Sequence, residues 1–482
     1  MRYLLTPFAI LSLSVLSAQA QQPGYNLRFK IEGWKDTTAY LGHYYWENTY
    51  LRDTARVNSK GEFHFDGKTE LAPGVYMIVL NQVKIFELLV SKSQHISFET
   101  KAEDYVRFMK VTGDSDNKIF FENMVFNMER HKEADPFIKI LQDSTLTEEQ
   151  KKDAREKFNT VNEKVVAYQE NVISKYPNTL TATIFKANTA VTIPPPPKKA
   201  DGSIDSTFQL KWYREHFFDN FDLGNEALVR MPRPIFKEKI NEYLDKLYAP
   251  QPDSLKRGID LVMTKAKKTQ ETYKYAFYII MRKYQEPEIM GLDGVFVYLY
   301  DTYVASGEMD FWMNAPFKKN VKEYADRLRT SLIGNQGANL IMQDANFKPR
   351  SMYDLKNKYT ILFIFDPDCG HCRKETPKLV DFYTKSKTKF NVEVYAVSTD
   401  TSMAKMRDFI KEMNTKWITV NGPRTYVGHY ADLYDAATTP SLYILDEKKK
   451  IIGKKIPVEK LDDFFTNYEK FHKNHLADKP KG

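Results

Sequence analysis

Cys369 and Cys372 are the only thiols in a chain of 482 residues, and two residues separate them. A disulfide closing so short a loop removes little chain entropy and ties no distant elements together, so the pair suits chemistry better than stapling. The chemistry two neighbouring thiols support is redox exchange. Haem attachment wants His directly after the second cysteine, where Arg373 stands. Zinc wants four ligands, and no second cysteine pair or close histidine pair completes a set around Cys369-Gly370-His371-Cys372. His472 and His475 have ligand-like spacing, which a charged tail explains more simply. No metal and no cofactor is expected.

The elements around the pair must present it. Tyr359-Thr360-Ile361-Leu362-Phe363-Ile364-Phe365 is an unbroken apolar, β-branched and aromatic run of the length of a buried parallel strand. Asp366-Pro367-Asp368 breaks it, and from Cys372 onward Leu379, Val380, Phe382 and Tyr383 fall at helical spacing, with Pro377 expected to kink the early helix. Cys369 therefore sits at a helix amino terminus. Free amide groups and the positive end of the dipole favour a thiolate there, and such cysteines fall to pKa values of about 3.5–7.5. His371, when protonated, adds a neighbouring cation. Downstream, Val392 to Ser398 reads as a strand and Ser402 to Met413 as a helix with Ser402 as cap. Thr438-Thr439-Pro440 then leads into strands at Ser441 to Leu445 and Ile451 to Lys455, and a last helix begins near Val458.

Together, Gly334 and Ala338, the strand running into Cys369-Gly370-His371-Cys372, Glu375 and Pro377 behind it, and Thr439-Pro440 ahead of a hairpin resemble the TlpA-like branch of exported thioredoxin-fold thiol-disulfide oxidoreductases. The resemblance covers roughly residues 334–476. It implies that Cys369 attacks and Cys372 resolves, that Pro440 is a cis-proline facing them, and that Thr439 offers its backbone to an extended substrate. Two positions depart from the pattern. Asp368 replaces the aromatic usual before the first cysteine, and Phe363 falls where ordinary thioredoxins bury an acid. Proton handling then passes to Glu375, which matches the acid of TlpA-like reductases. The Gly-His dipeptide is similar to that of protein disulfide isomerases and implies a couple less reducing than thioredoxin.

The fold expected is multidomain: a small antiparallel β domain over 21–112, an α-helical domain over 113–333 and a thioredoxin-like α/β domain over 334–482. Alternating residues from Tyr25 to Ile31 and from Gly61 to Phe65 mark the first, with further strands at Val75 to Leu80, Lys84 to Val90 and His95 to Thr100. This part resembles the β module that precedes TlpA-like domains in exported Bacteroidetes proteins. From Asn117 the period turns helical, and Thr147 with Gln150 forms a capping box. Pro194 to Pro197 make a loop within the helical region, and aromatic groups such as Phe217-Phe218 and Tyr298, Tyr300 and Tyr303 read as core.

Composition narrows the partners. With 42% hydrophobic residues the chain is neither disordered nor fibrous, and a charge of +8 without long basic runs argues against nucleic acid. Arg2, the apolar stretch Tyr3 to Leu16 and Ser17-Ala18-Gln19-Ala20 have the pattern of a signal peptide spanning 1–20, so export to the periplasm is expected. The function expected is an exported thiol-disulfide oxidoreductase working on protein disulfides as a reductant, served by an upstream thiol donor or acceptor. The alternative is a ligand- or partner-binding surface protein with an auxiliary redox domain.

Overall fold

The computed structural model describes residues 24–422, 424–425 and 428–477. The expected signal segment 1–20 lies outside the described residues, as do the side chains of His472 and His475.

The amino-terminal strands build two four-stranded sheets, one ordered Glu62–Gly67, Tyr25–Glu32, His95–Lys101, Lys110–Thr112 and the other Asn48–Arg56, Thr38–Tyr45, Gly74–Leu80, Val83–Val90. Sequence alternation becomes alternation of burial, with Tyr25, Leu27, Phe29 and Ile31 inside. Phe29 lies between Phe63 and Phe98, its ring centroid 4.9 Å from each. One pairing is parallel, Tyr25–Glu32 with His95–Lys101; no hairpin joins these strands, so nothing local forces them antiparallel. The hairpin of Thr38–Tyr45 and Asn48–Arg56 carries no clear alternation because Asn48–Arg56 is exposed along most of its length.

Helices follow. Ser115–Gln142 is capped by Asp114, and Glu148–Lys175 begins with the reciprocal bonds of Thr147 and Gln150. Phe217 and Phe218 are buried, and the Tyr298 and Tyr303 hydroxyls both donate to Asp260.

The chain separates into two compact units, one ending at Phe236 and the other starting at Lys237, so the helical stretch 113–333 contributes to both. Within the second unit, helical residues are tied to the carboxyl-terminal sheet. The buried Lys454 pairs with Asp293 and donates to the Ser331 carbonyl at 2.9 Å, and the Gly334 amide donates to Ile451 at 2.8 Å.

That sheet has seven strands in the order Pro349–Ser351, Ile341–Asp344, Ile418–Asn421, Val392–Ser398, Tyr359–Phe365, Ser441–Leu445, Ile451–Lys454. Every residue of Tyr359–Phe365 is buried, as a strand flanked on both edges and covered on both faces requires. It runs parallel to Val392–Ser398 and antiparallel to Ser441–Leu445. The helices Gly370–Phe390 and Met403–Met413 each end at an asparagine in the left-handed conformation, Asn391 and Asn414, which closes the last turn.

Candidate active site

The site is made where the central strand stops. After Phe365 the Asp366 carboxylate accepts the Asp368 amide at 2.8 Å, and the Asp366 carbonyl accepts the Cys369 amide at 3.1 Å, so the chain turns at once into a helix. Cys369 is the N-cap of Gly370–Phe390, with extended backbone and no capping bond from its own side chain. The amides of the first helical turn nonetheless lie beside its sulfur, that of Cys372 foremost and that of His371 after it, and they push the Cys369 thiol below its ordinary value.

Cys372 lies on the inner face of the same turn. It is fully buried among Phe363, Phe365 and Leu442, and burial pushes its thiol up to about 12. The Asp366 amide donates to its sulfur at 3.4 Å and the Thr376 hydroxyl to its carbonyl at 2.8 Å. One thiol is thus half-exposed and pushed toward the thiolate, while its neighbour is enclosed and held protonated.

Register brings the third component. Ile364 pairs with Ser441, so the segment just before Ser441 lies beside the cysteine loop. The Thr439–Pro440 peptide bond is cis, and the Cys369 thiol reaches the Thr439 carbonyl at 3.5 Å. Cys369, Cys372, Thr439 and Pro440 are therefore one locus.

Among the described residues, the side chains of His371 and Glu375 make no hydrogen bond to it. The His371 side chain is exposed. Glu375, one turn beyond Cys372, is half-buried, and its carboxylate accepts from Lys378 at 2.6 Å; Lys378 also faces Glu459 at 3.6 Å. Phe363 is 1% exposed and stacks on Phe365, so the interior offers no acid at that position.

Sequence reasoning missed the cations that hold the loop. Lys405 bridges Asp368 at 2.7 Å and Asp400 at 2.9 Å, while Arg373 donates to the Pro367 carbonyl at 3.0 Å and pairs with Glu412. An acid directly before a cysteine that must ionise calls for a counter-charge, and Asp368 was that signal. Nothing local tells which lysine supplies it. Among the described residues no group of three or more His, Cys, Asp or Glu side chains is placed to hold a metal ion.

Residues 333–454 match the AhpC/TSA family. The carboxyl-terminal domain belongs to that family. Residues 25–120 match the domain of unknown function DUF4369 and residues 146–325 the domain of unknown function DUF5106. The AhpC/TSA domain has relatives named thiol-disulfide oxidoreductase ResA. That of Bacillus cereus is 26% identical over 132 residues, which is 27% of this chain and 73% of that protein. That of Bacillus subtilis is 26% identical over 119 residues, 25% of this chain and 64% of that protein. Among solved structures, a domain of a possible thiol-disulfide isomerase from Cytophaga hutchinsonii is 40% identical, covering 30% of this chain and 97% of its own, with a TM-score of 0.28. A thioredoxin-like protein from Bacteroides caccae is 16% identical, covering 58% of this chain and 99% of its own, with a TM-score of 0.45. The chain is a thiol-disulfide oxidoreductase by family, with a β part and a helical part ahead of its AhpC/TSA domain.

Proposed function

We propose that this chain reduces disulfides in protein substrates through Cys369 and Cys372. The observation that carries the reading is the division of the two thiols, one pushed down at a helix start and half-exposed, the other buried and pushed up to about 12. Cys369 thiolate attacks one sulfur of the substrate disulfide, forming a mixed disulfide and releasing the other substrate sulfur as a thiolate that takes a proton. Cys372 then loses its proton and attacks the Cys369 sulfur. The Cys369–Cys372 disulfide forms, and the second substrate sulfur leaves. Two electrons have passed to the substrate, and a dithiol donor restores the pair.

We take reduction as the direction, with Cys372 held as a thiol by burial and Cys369 as the sulfur that substrates reach. Thr439 is the natural partner for an extended substrate backbone, since its carbonyl already faces the Cys369 sulfur. We place the protein outside the cytoplasm, in the periplasm, on the pattern of Arg2, Tyr3 to Leu16 and Ser17-Ala18-Gln19-Ala20. Mass spectrometry of the protein recovered from that compartment should find a chain beginning at Gln21. The redox reading is tested by the reduction potential of the pair, expected between about −270 mV for thioredoxin and about −180 mV for protein disulfide isomerase. A value well above that range would assign the pair to oxidation instead.

A further inference from the structure

A cleft of about 400 Å³ opens in the second unit at Thr438, one residue before the Thr439 carbonyl that faces Cys369. One wall is the loop from Glu286 to Gly291, and the other comes from the segment leading to Thr438. Its charges do not cancel. Lys454 is neutralised by Asp293, and Lys455 is paired with Asp435 at 2.7 Å. Glu286 and Glu288 are exposed on the rim with no ion pair among the described residues, so the cleft carries two uncompensated negative charges.

A second feature points the same way. Asp435 lines the cleft and its side chain is only 3% exposed; its Oδ2 meets Lys455, while its Oδ1 has no hydrogen-bond partner among the described residues. A buried carboxylate oxygen without a donor is costly, and it adds to the negative potential that a cation in the cleft meets. The loop also exposes apolar surface at Ile289, 49%, and Met290, 43%. An acidic rim with an apolar strip suits a lysine or arginine, whose alkyl stem packs while its head is paired.

We propose that this cleft is a specificity pocket for a basic residue lying one or two positions from the reacting cysteine of a protein substrate. The proposal rests on Cys369 being the attacking thiol. A substrate strand paired along Thr439 delivers a neighbouring side chain toward Thr438, where the loop from Glu286 to Gly291 meets it.

The test uses the full chain and three short peptides, each carrying one cysteine joined in a disulfide to thionitrobenzoate and flanked by Lys, Ala or Glu. Attack by Cys369 on the peptide sulfur releases the coloured thiolate. The Lys peptide should exceed the Glu peptide in kcat/KM by about tenfold at low salt, the size expected of two partly screened charges acting on one cation, and salt should shrink the ratio. In the double variant Glu286→Gln, Glu288→Gln the ratio should fall to within about twofold, the residue left when those screened charges are gone. Both substitutions lie on an exposed loop, and thermal melting checks that the fold is intact. Equal rates for the three peptides in the unmodified protein, or a preference that survives in the double variant, would overturn the pocket. Release from none of them would overturn the redox reading beneath it.

Discussion

The step most exposed to test is the deprotonation of Cys372. Its thiol stands at about 12 against an ordinary 9.0, so burial lowers the thiolate population about a thousandfold and leaves about one molecule in 100,000 ionised at pH 7. Resolution drawing on that population alone accelerates about tenfold per pH unit across the neutral range. A base that takes the proton during attack flattens that slope. Glu375 shares the helical face of Cys372 one turn on, half-buried and held by Lys378. Glu375→Gln keeps the shape and removes the base. A positioned base is worth about 10²–10⁴, and an ion-paired, partly exposed carboxylate belongs at or below the lower end, so resolution should slow by about ten- to a hundredfold. Lys378→Met, which releases the carboxylate, should speed resolution. Stopped-flow single turnovers over a pH range of about 5–9 separate attack from resolution, since the Cys369 thiol is pushed down while that of Cys372 is pushed up to about 12. Unchanged resolution in Glu375→Gln at every pH would remove Glu375 from the chemistry and leave it a surface partner of Lys378.

Cys372→Ser should accumulate mixed disulfides with protein substrates and Cys369→Ser none, read on non-reducing gels; equal trapping would reverse or void the roles. Lys405→Met leaves Asp368 uncompensated beside Cys369 and should raise the thiol's pKa, while Asp368→Asn should lower it; absorbance of the thiolate at 240 nm during a pH titration reports both, and shifts of the same sign would refute the argument. Phe365→Ala removes a buried ring stacked on Phe409 at 4.5 Å and should cost about 3–5 kcal/mol, seen as a lower urea midpoint for the second unit. Cys372 keeps its proton to about 12 in the fold but only to about 9.0 when unfolded, so the reduced fold binds more protons between those values. Its stability therefore falls as pH rises through that window. Cys372→Ala should decline less between pH 7 and 10 in urea titrations under reducing conditions, and an equal decline would contradict the burial argument.

What was legible in the sequence is what local pattern fixes. The run Tyr359 to Phe365 has the length and β-branched, aromatic make-up of a strand covered on both faces, and the Asp366-Pro367-Asp368 break placed Cys369 at a helix start, as found. The Thr147–Gln150 box and the Ser402 cap are readable because their bonds span three residues. The hairpin strand Asn48–Arg56 was silent because an exposed edge shows no alternation, and the parallel pairing of Tyr25–Glu32 with His95–Lys101 leaves no trace in either strand alone. Around the cysteines, the nearness of Thr439 followed from the resemblance, whereas Lys405, Glu412 and the cleft beside Thr438 depend on contacts across tens of residues. The division at Phe236 and Lys237 was equally hidden, because a helical period marks a buried face without naming what buries it.

The central claim is that the full chain reduces protein disulfides through this one pair. Its most direct test is insulin reduction followed by turbidity, with dithiothreitol as donor and the unmodified chain, Cys369→Ser and Cys372→Ser compared at equal concentration. Precipitation well ahead of the donor alone in the unmodified chain, lost in Cys369→Ser and strongly reduced in Cys372→Ser, is the predicted result. Precipitation no faster than with dithiothreitol alone, or undiminished in Cys369→Ser, would contradict it.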